Sequence, residues 1–313
     1  MSKFDIKKIR AIEKTLLYIN EEILHLPGIE NEANREVFIK QIIESIRRIE
    51  YLHVVKERSL SSRSKDPHDP MFDPLKAAII HMREENWDEA FWMVFLFVHF
   101  GKNARAGWRY AREVYGRLGK DPIWDWSNIV TNVDEFKFWL HSHQSKLKRK
   151  GVYRGFGNHR KYQSLDAYSK TGTGSAIESY IKWVRPPRTH RELMEYYCEN
   201  ERVSSTVAFD RLYCSMESIV SFGRTARFDY LTLVGNIGLA NIKPGLAYIK
   251  DSTGPKIGAQ LLLTGERSNS LGAKYLEECL EILDSYLEVG KQVLEDSLCN
   301  WQKHPDRFVP FRG

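Results

Sequence analysis

Three carboxylates stand where an acid could do chemistry: Asp229 in "RFDYLTLVGNIG", Asp296 in "LEDSLCNWQK" and Glu178 in "GTGSAIESYIKWV". Each falls in a stretch patterned as a helix with an apolar face, where an acid has either a partner or a task. The tasks open to a lone carboxylate are to stabilise developing positive charge, orient a water or take a proton. Bland alternatives stand beside each. Asp229 lies near the predicted start of its helix and would cap it. Glu178 would pair with Arg160 or Arg185. Asp296 is brought toward Cys299 and Asn300 by spacings of three and four. Cys299 has no evident base beside it and is expected in the core rather than as a nucleophile.

Two further stretches point to a polyanion. In "STGPKIGAQLLLTG" a Ser-Thr-Gly-Pro turn precedes an apolar helix. Thr253, Gly254, Lys256 and Gly258 would offer backbone N–H groups, a helix dipole and a positive charge to a phosphate without reading bases. The alternative is an ordinary helix corner in which the glycines serve packing. "KLKRKGVYRGFGNHRKY" (146–162) carries seven Lys or Arg residues with Tyr153, Phe156 and Tyr162 between them. Asn158, His159, Arg160 and Lys161 supply donors of several geometries for a DNA backbone, and the aromatics could stack on a displaced base. A solvated surface loop is the alternative.

Other chemistries find no support. No HExxH, Walker loop, GxSxG or dinucleotide fingerprint occurs. His141 and His143 alternate in "LHSHQ" and cannot face one metal from a helix. Cys198, Cys214, Cys279 and Cys299 form no CxxC pair and read as reduced thiols of a cytoplasmic protein.

The elements that must position these residues are helical. The chain has 313 residues, 42% hydrophobic and 28% charged, with a net charge of +6. That is an ordinary globular composition whose charge favours a polyanionic partner. Ile6, Ile9, Ile12, Leu16, Ile19 and Ile23 recur at helical spacing as far as the Leu26-Pro27-Gly28 turn. Val37, Ile42, Ile46 and Ile49 repeat the pattern. A polar, proline-bearing loop fills 59–74, and helix patterns follow at 75–100, 104–117, 203–221 and 228–240. "AFWMVFLFVH" (90–99) is too short to span a bilayer and reads as a helix buried on all sides. Asn132 with Glu135, and Thr189 with Glu192, predict capping boxes. Leu276 to Leu298 forms the last long helix or pair of helices. Period-two strands are absent, so the fold class is all-α. A boundary near residue 150 gives a helical lobe over 1–150 and a second over 151–313; a single two-lobed domain is equally consistent. Neither a membrane segment nor an obligatory protein partner is expected.

Taken together, "LPGIENEANREVFIKQIIESIRRIEY", "DPMFDPLKAA", "DEAFWMVFLFVHFGK", "VYGRLG", "FGNHRKYQSL", "GTGSAIESYIKWV", "TGPKIGAQLLLTG" and "LEDSLCNWQK" resemble the α-glutamyl/putrescinyl thymine pyrophosphorylase family. The resemblance runs from about residue 26 to 303. It implies a two-lobed helical fold related to helix-hairpin-helix DNA glycosylases. It also implies either of two activities on phage DNA. One is excision of a hypermodified base such as glucosylated 5-hydroxymethylcytosine, leaving an abasic site. The other is thymine hypermodification, in which an amine displaces pyrophosphate from an activated 5-hydroxymethyluracil. A DNA-binding protein without activity is the third possibility. The region "GAKYLEECLEILD" has no Asp where the related glycosylases carry theirs, and Asp284 comes late. Ile257 holds the position of the lyase-type lysine, with Lys256 one step off. A Schiff-base lyase is therefore not expected, and the acid falls to Asp229, Asp296 or Glu178. Under this resemblance Lys102 joins His159, Arg160 and Lys161 on phosphates or the modification. Tyr153, Phe156 or Trp183 stacks on a base flipped between the helical halves, and no metal or cofactor is required.

Overall fold

The computed structural model describes residues 3–148, 153–198, 202–267 and 270–310. Among them are fourteen α-helices and no strand, only one isolated bridge between Asn103 and Gly107. The chain divides into two compact units, Met1–Leu52 with Pro244–Arg312 and His53–Lys243. The change-over thus falls near 52 and 243, whereas the basic composition shift drew the expected boundary to residue 150.

The first unit holds α1 (Lys3–Tyr18), most of α2 (Glu32–Glu57), α12 (Gly254–Thr264), α13 (Ala273–Leu287) and α14 (Lys291–Trp301). The apolar positions that repeat at helical spacing, among them Leu16, Ile19, Phe38, Ile42, Leu280 and Leu294, close into one core. Trp301 completes it, fully buried against Phe38 with its indole N–H donated to Asn34 O at 3.1 Å. The first helix stops being α-helical earlier than its isoleucines suggest. Ile19–Ile23 forms a π turn, and Pro27–Ile29 a 3₁₀ turn.

The second unit contains α3 (Pro74–Arg83), α4 (Trp87–Phe100), α5 (Arg109–Tyr115), α6 (Trp126–Thr131), α7 (Val133–Leu147), α8 (Thr173–Val184), α9 (His190–Cys198), α10 (Ser205–Ser215) and α11 (Arg224–Ile237). α4 is its axis. Every side chain from Glu89 to Leu96 is buried, as an all-round apolar helix requires. The expected stretch 75–100 breaks at Glu85, which takes φ +59° between α3 and α4. Asp73 caps α3 by accepting from the amides of Leu75 and Lys76.

The consecutive acids Asp88 and Glu89 at the start of α4 reach the first amides of two other helices. Asp88 accepts from His190 N at 2.8 Å, and Glu89 from Trp126 N at 2.6 Å. Glu89 also accepts from the Tyr115 hydroxyl at 2.7 Å. One turn of sequence therefore starts α9 and α6 and holds α5, satisfying orphan donors that local caps leave open.

Candidate active site

Asp229 is the sixth residue of α11, which begins at Arg224. It is therefore not the cap its distance from the apolar run implied. Its Oδ2 lies 2.9 Å from Nη2 of Arg160, and the two side chains differ sharply in exposure, 44% against 8%. The guanidinium is fixed from within: Nε donates to Val98 O at 2.8 Å and Nη1 to His159 O at 3.3 Å. A buried cation thus holds a carboxylate that faces solvent.

Arg160 is held there by backbone contact between two loops. Gly101 takes φ +63° at the end of α4, and Gly157 N donates to Phe100 O at 2.8 Å. A Cβ on Gly157 would sit 2.8 Å from Gly101 C and 2.9 Å from Lys102 N, so only glycine permits the approach. Asn103 Nδ2 donates to Phe156 O at 3.0 Å. Phe156 stacks on Phe100 at 5.6 Å and meets the edge of Tyr110 at 5.2 Å. It locks the loop into the helical core, a placement at odds with stacking on a base. Phe156 is half-buried, whereas Trp183 is buried, with its indole N–H on Ser215 Oγ at 2.9 Å and its ring near Tyr180 and Tyr230. Tyr153 alone of the three expected stackers stays at the surface, 53% exposed, with Arg105 5.5 Å from its ring centroid.

The joined loops leave Lys102, Asn158, His159 and Lys161 exposed. Positions 149–152 of the basic run lie outside the described residues. The rest is not a uniformly solvated loop, because Arg154 is paired with Glu113 and Arg160 with Asp229. Beside Arg160, His99 is fully buried, and burial first, then the guanidinium's charge, lowers its imidazole to about 3. It is neutral, and it bonds to Thr173 Oγ1 at 3.0 Å.

The other two acids are committed to structure. Glu178 receives Lys137 Nζ at 2.7 Å and Lys182 Nζ at 2.5 Å, bonds that hold it below the usual carboxylate range. Its partners are these lysines, not Arg160 or Arg185. Asp296, in the first unit, accepts from Ser45 Oγ at 2.8 Å, from Arg48, and from Asn300 Nδ2 at 3.1 Å. It clasps α14 to α2.

The expected phosphate-binding turn is the start of α12. Thr253 is exposed and makes no side-chain cap bond, Pro255 lies in the first turn, and Lys256 is half-buried. The two glycines answer to packing. A Cβ on Gly254 would lie 2.7 Å from Cys299 Sγ, and one on Gly258 2.4 Å from Leu298 O. Four residues apart, they form the notch into which α14 fits. Gly258 is buried in that contact, contrary to a role on DNA.

One polar feature had no sequence precursor. His190 Nδ1 lies 2.7 Å from Asp88 Oδ1, its Nε2 lies 2.7 Å from Tyr180 OH, and Tyr180 OH lies 2.8 Å from Tyr230 OH. Asp88 and His190 are 102 residues apart, beyond any spacing rule.

The site in the second unit is thus a solvent-facing carboxylate on a buried guanidinium, beside loops bearing Lys102, His159 and Lys161. Such a carboxylate is aimed by its partner toward solvent, suited to stabilising positive charge and orienting a nucleophile. Among the described residues no helix is long and apolar enough to cross a membrane.

Residues 33–313 match the family model described as α-glutamyl/putrescinyl thymine pyrophosphorylase clade 3. No curated protein and no solved structure matches the chain.

Proposed function

We infer the function from the premise that the chain belongs to the α-glutamyl/putrescinyl thymine pyrophosphorylase family, in its clade 3. The family is enzymatic and its description is of DNA-base modification chemistry. We propose that this protein is a monofunctional DNA glycosylase that excises a hypermodified pyrimidine from phage DNA. The observation that carries the reading is the Asp229–Arg160 pair: a carboxylate open to solvent, held by a cation that is itself buried. Asp229 stabilises the positive charge that builds on the sugar as the C1′–N bond breaks and its electron pair leaves with the base. A water oriented by Asp229 then bonds to C1′ and gives up a proton. Lys102, Asn158, His159 and Lys161 hold the DNA backbone or the modification, and Tyr153 stacks at the rim.

A second reading has the family's description in its favour. Here an amine attacks the 5-methylene carbon of an activated thymine, and pyrophosphate departs with the C–O electron pair. Asp229 would serve as base for the amine or as counter-charge to the carbon.

Incubation with DNA carrying glucosylated 5-hydroxymethylcytosine, or pyrophosphorylated 5-hydroxymethyluracil plus an amine donor, decides among the readings. Free base and abasic DNA support the glycosylase. A mass-shifted nucleoside with released pyrophosphate supports the transferase. A gel shift with neither product leaves a DNA-binding protein and removes both enzymatic readings.

A further inference from the structure

Asp229 is one of two adjacent residues on α11 that are tied to opposite ends of α4. Arg160, which grips Asp229, also donates to Val98 O near the end of α4. Tyr230 connects through Tyr180 and His190 to Asp88 near its start. The three rings of that chain are wholly inaccessible to solvent.

The donors along it run one way. Burial works to raise Asp88, but the His190 N–H bonds outweigh it, and the carboxyl lies below its ordinary value. As a carboxylate it only accepts, so His190 Nδ1 carries the proton. Burial keeps His190 from charging, which leaves Nε2 a bare acceptor for the Tyr180 hydroxyl. The Tyr180 oxygen in turn accepts from Tyr230. Every hydroxyl rotor in the chain has a single satisfied orientation, set by Asp88.

Neighbouring residues point about 100° apart around a helix. α11 is packed through ten buried residues, among them Phe228, Leu231 and Val234, and the bonds at Asp229 and Tyr230 add directional ties from two sides to that packing. We propose that Tyr230, backed by Tyr180 and His190, is a positioning residue for Asp229, fixing the rotation of α11 so that the carboxylate keeps its contact with Arg160. The proposal rests on the reading of Asp229 as the acting carboxylate. Aromatic packing alone could hold the rings, but it would not specify the donor order from Asp88 outward.

The test uses Tyr230→Phe and Tyr180→Phe in the full chain with ¹³C-labelled aspartate. The Asp229 carboxyl resonance is assigned by its loss in Asp229→Asn. It is expected to move in the same direction in both variants, while Tm falls by only about 2–4 °C per broken bond. A resonance that stays in place overturns the proposal whatever the activity. On modified DNA, kcat should fall about tenfold with KM unchanged, and the double variant should be no slower than Tyr180→Phe alone, since one chain is already cut. Losses that add, or that fall in KM, would also overturn it. Failure of the functional reading looks different: the unaltered protein turns over neither substrate, yet the resonance still moves in both variants.

Discussion

Nη2 of Arg160 stands 2.9 Å from Oδ2 of Asp229, with the cation buried and the anion open to solvent. Asp296 and Arg48 are equally accessible, with Ser45 and Asn300 also donating to the carboxylate, and Glu178 is shared between Lys137 and the more exposed Lys182. Asp229→Asn should therefore reduce product formation by about 10²-fold or more while DNA affinity holds. Asp296→Asn should instead lower stability by about 1–3 kcal/mol with turnover nearly unchanged. Parallel turnover and denaturation curves check both. A turnover loss confined to Asp296→Asn would move the chemistry to the first unit.

Lys102 and Lys161 are exposed, whereas Arg160 is occupied by Val98 O and Asp229. The salt dependence of DNA binding should therefore come from the lysines. Lys102→Gln and Lys161→Gln should each lower the slope of log K against log salt by about 1. Slopes identical to the parent protein would place the DNA on another face.

The α12 notch gives a compensation test. Gly254→Ala meets the Cys299 sulfur, a side chain, and Gly258→Ala meets the Leu298 carbonyl, a backbone group. Each should cost about 1–3 kcal/mol. Adding Cys299→Ala should restore most of the loss for Gly254→Ala and none for Gly258→Ala. Equal rescue of both in urea denaturation would contradict this packing.

Burial, opposed by the bonds from Trp126 N and Tyr115 OH, lifts the Glu89 carboxyl from 4.5 to about 7. Between those values the folded chain keeps a proton that the unfolded chain has released. This group's contribution to stability thus falls as pH rises through that window and levels off above it, by at most about 3 kcal/mol. Depressed imidazoles act in the opposite sense. His81, lowered by burial to about 4, favours the fold above the ordinary histidine value and loses that contribution as pH falls toward 4. Subtracting Glu89→Gln from the parent isolates the carboxyl. The parent should lose stability relative to the variant from pH 4.5 to about 7, and a pH-independent difference would refute the assignment.

What the sequence made legible was helical phase. α4 was readable as a buried helix from its unbroken apolar run, and α8 from the spacing in "GTGSAIESYIKWV". Thr189 and Glu192 do form a reciprocal cap. Asn132 and Glu135 share the pattern but not the bond, because Asn128 takes the Asn132 amide and Arg117 takes Glu135. Glycines in "TGPKIGA" fit either a phosphate or a neighbouring helix, and only the position of α14 separates the two. The sequence marks Asp229 as a candidate carboxylate, but its cues place Arg160 on DNA or on Glu178. Pairing across 69 residues leaves no periodic trace.

The first unit is assembled from Met1–Leu52 and Pro244–Arg312, with His53–Lys243 forming the other between them in the chain. During synthesis the ribosome delivers the whole of the inserted unit before the segment that supplies α12, α13 and α14. The opening helices must wait, with Leu16, Ile19 and Phe38 lacking their partners from α12, α13 and α14, until the segment beyond residue 243 is translated. Nascent chains halted after residue 243 should therefore contain a protease-resistant middle and a digestible leader, a vectorial order that chain continuity alone imposes.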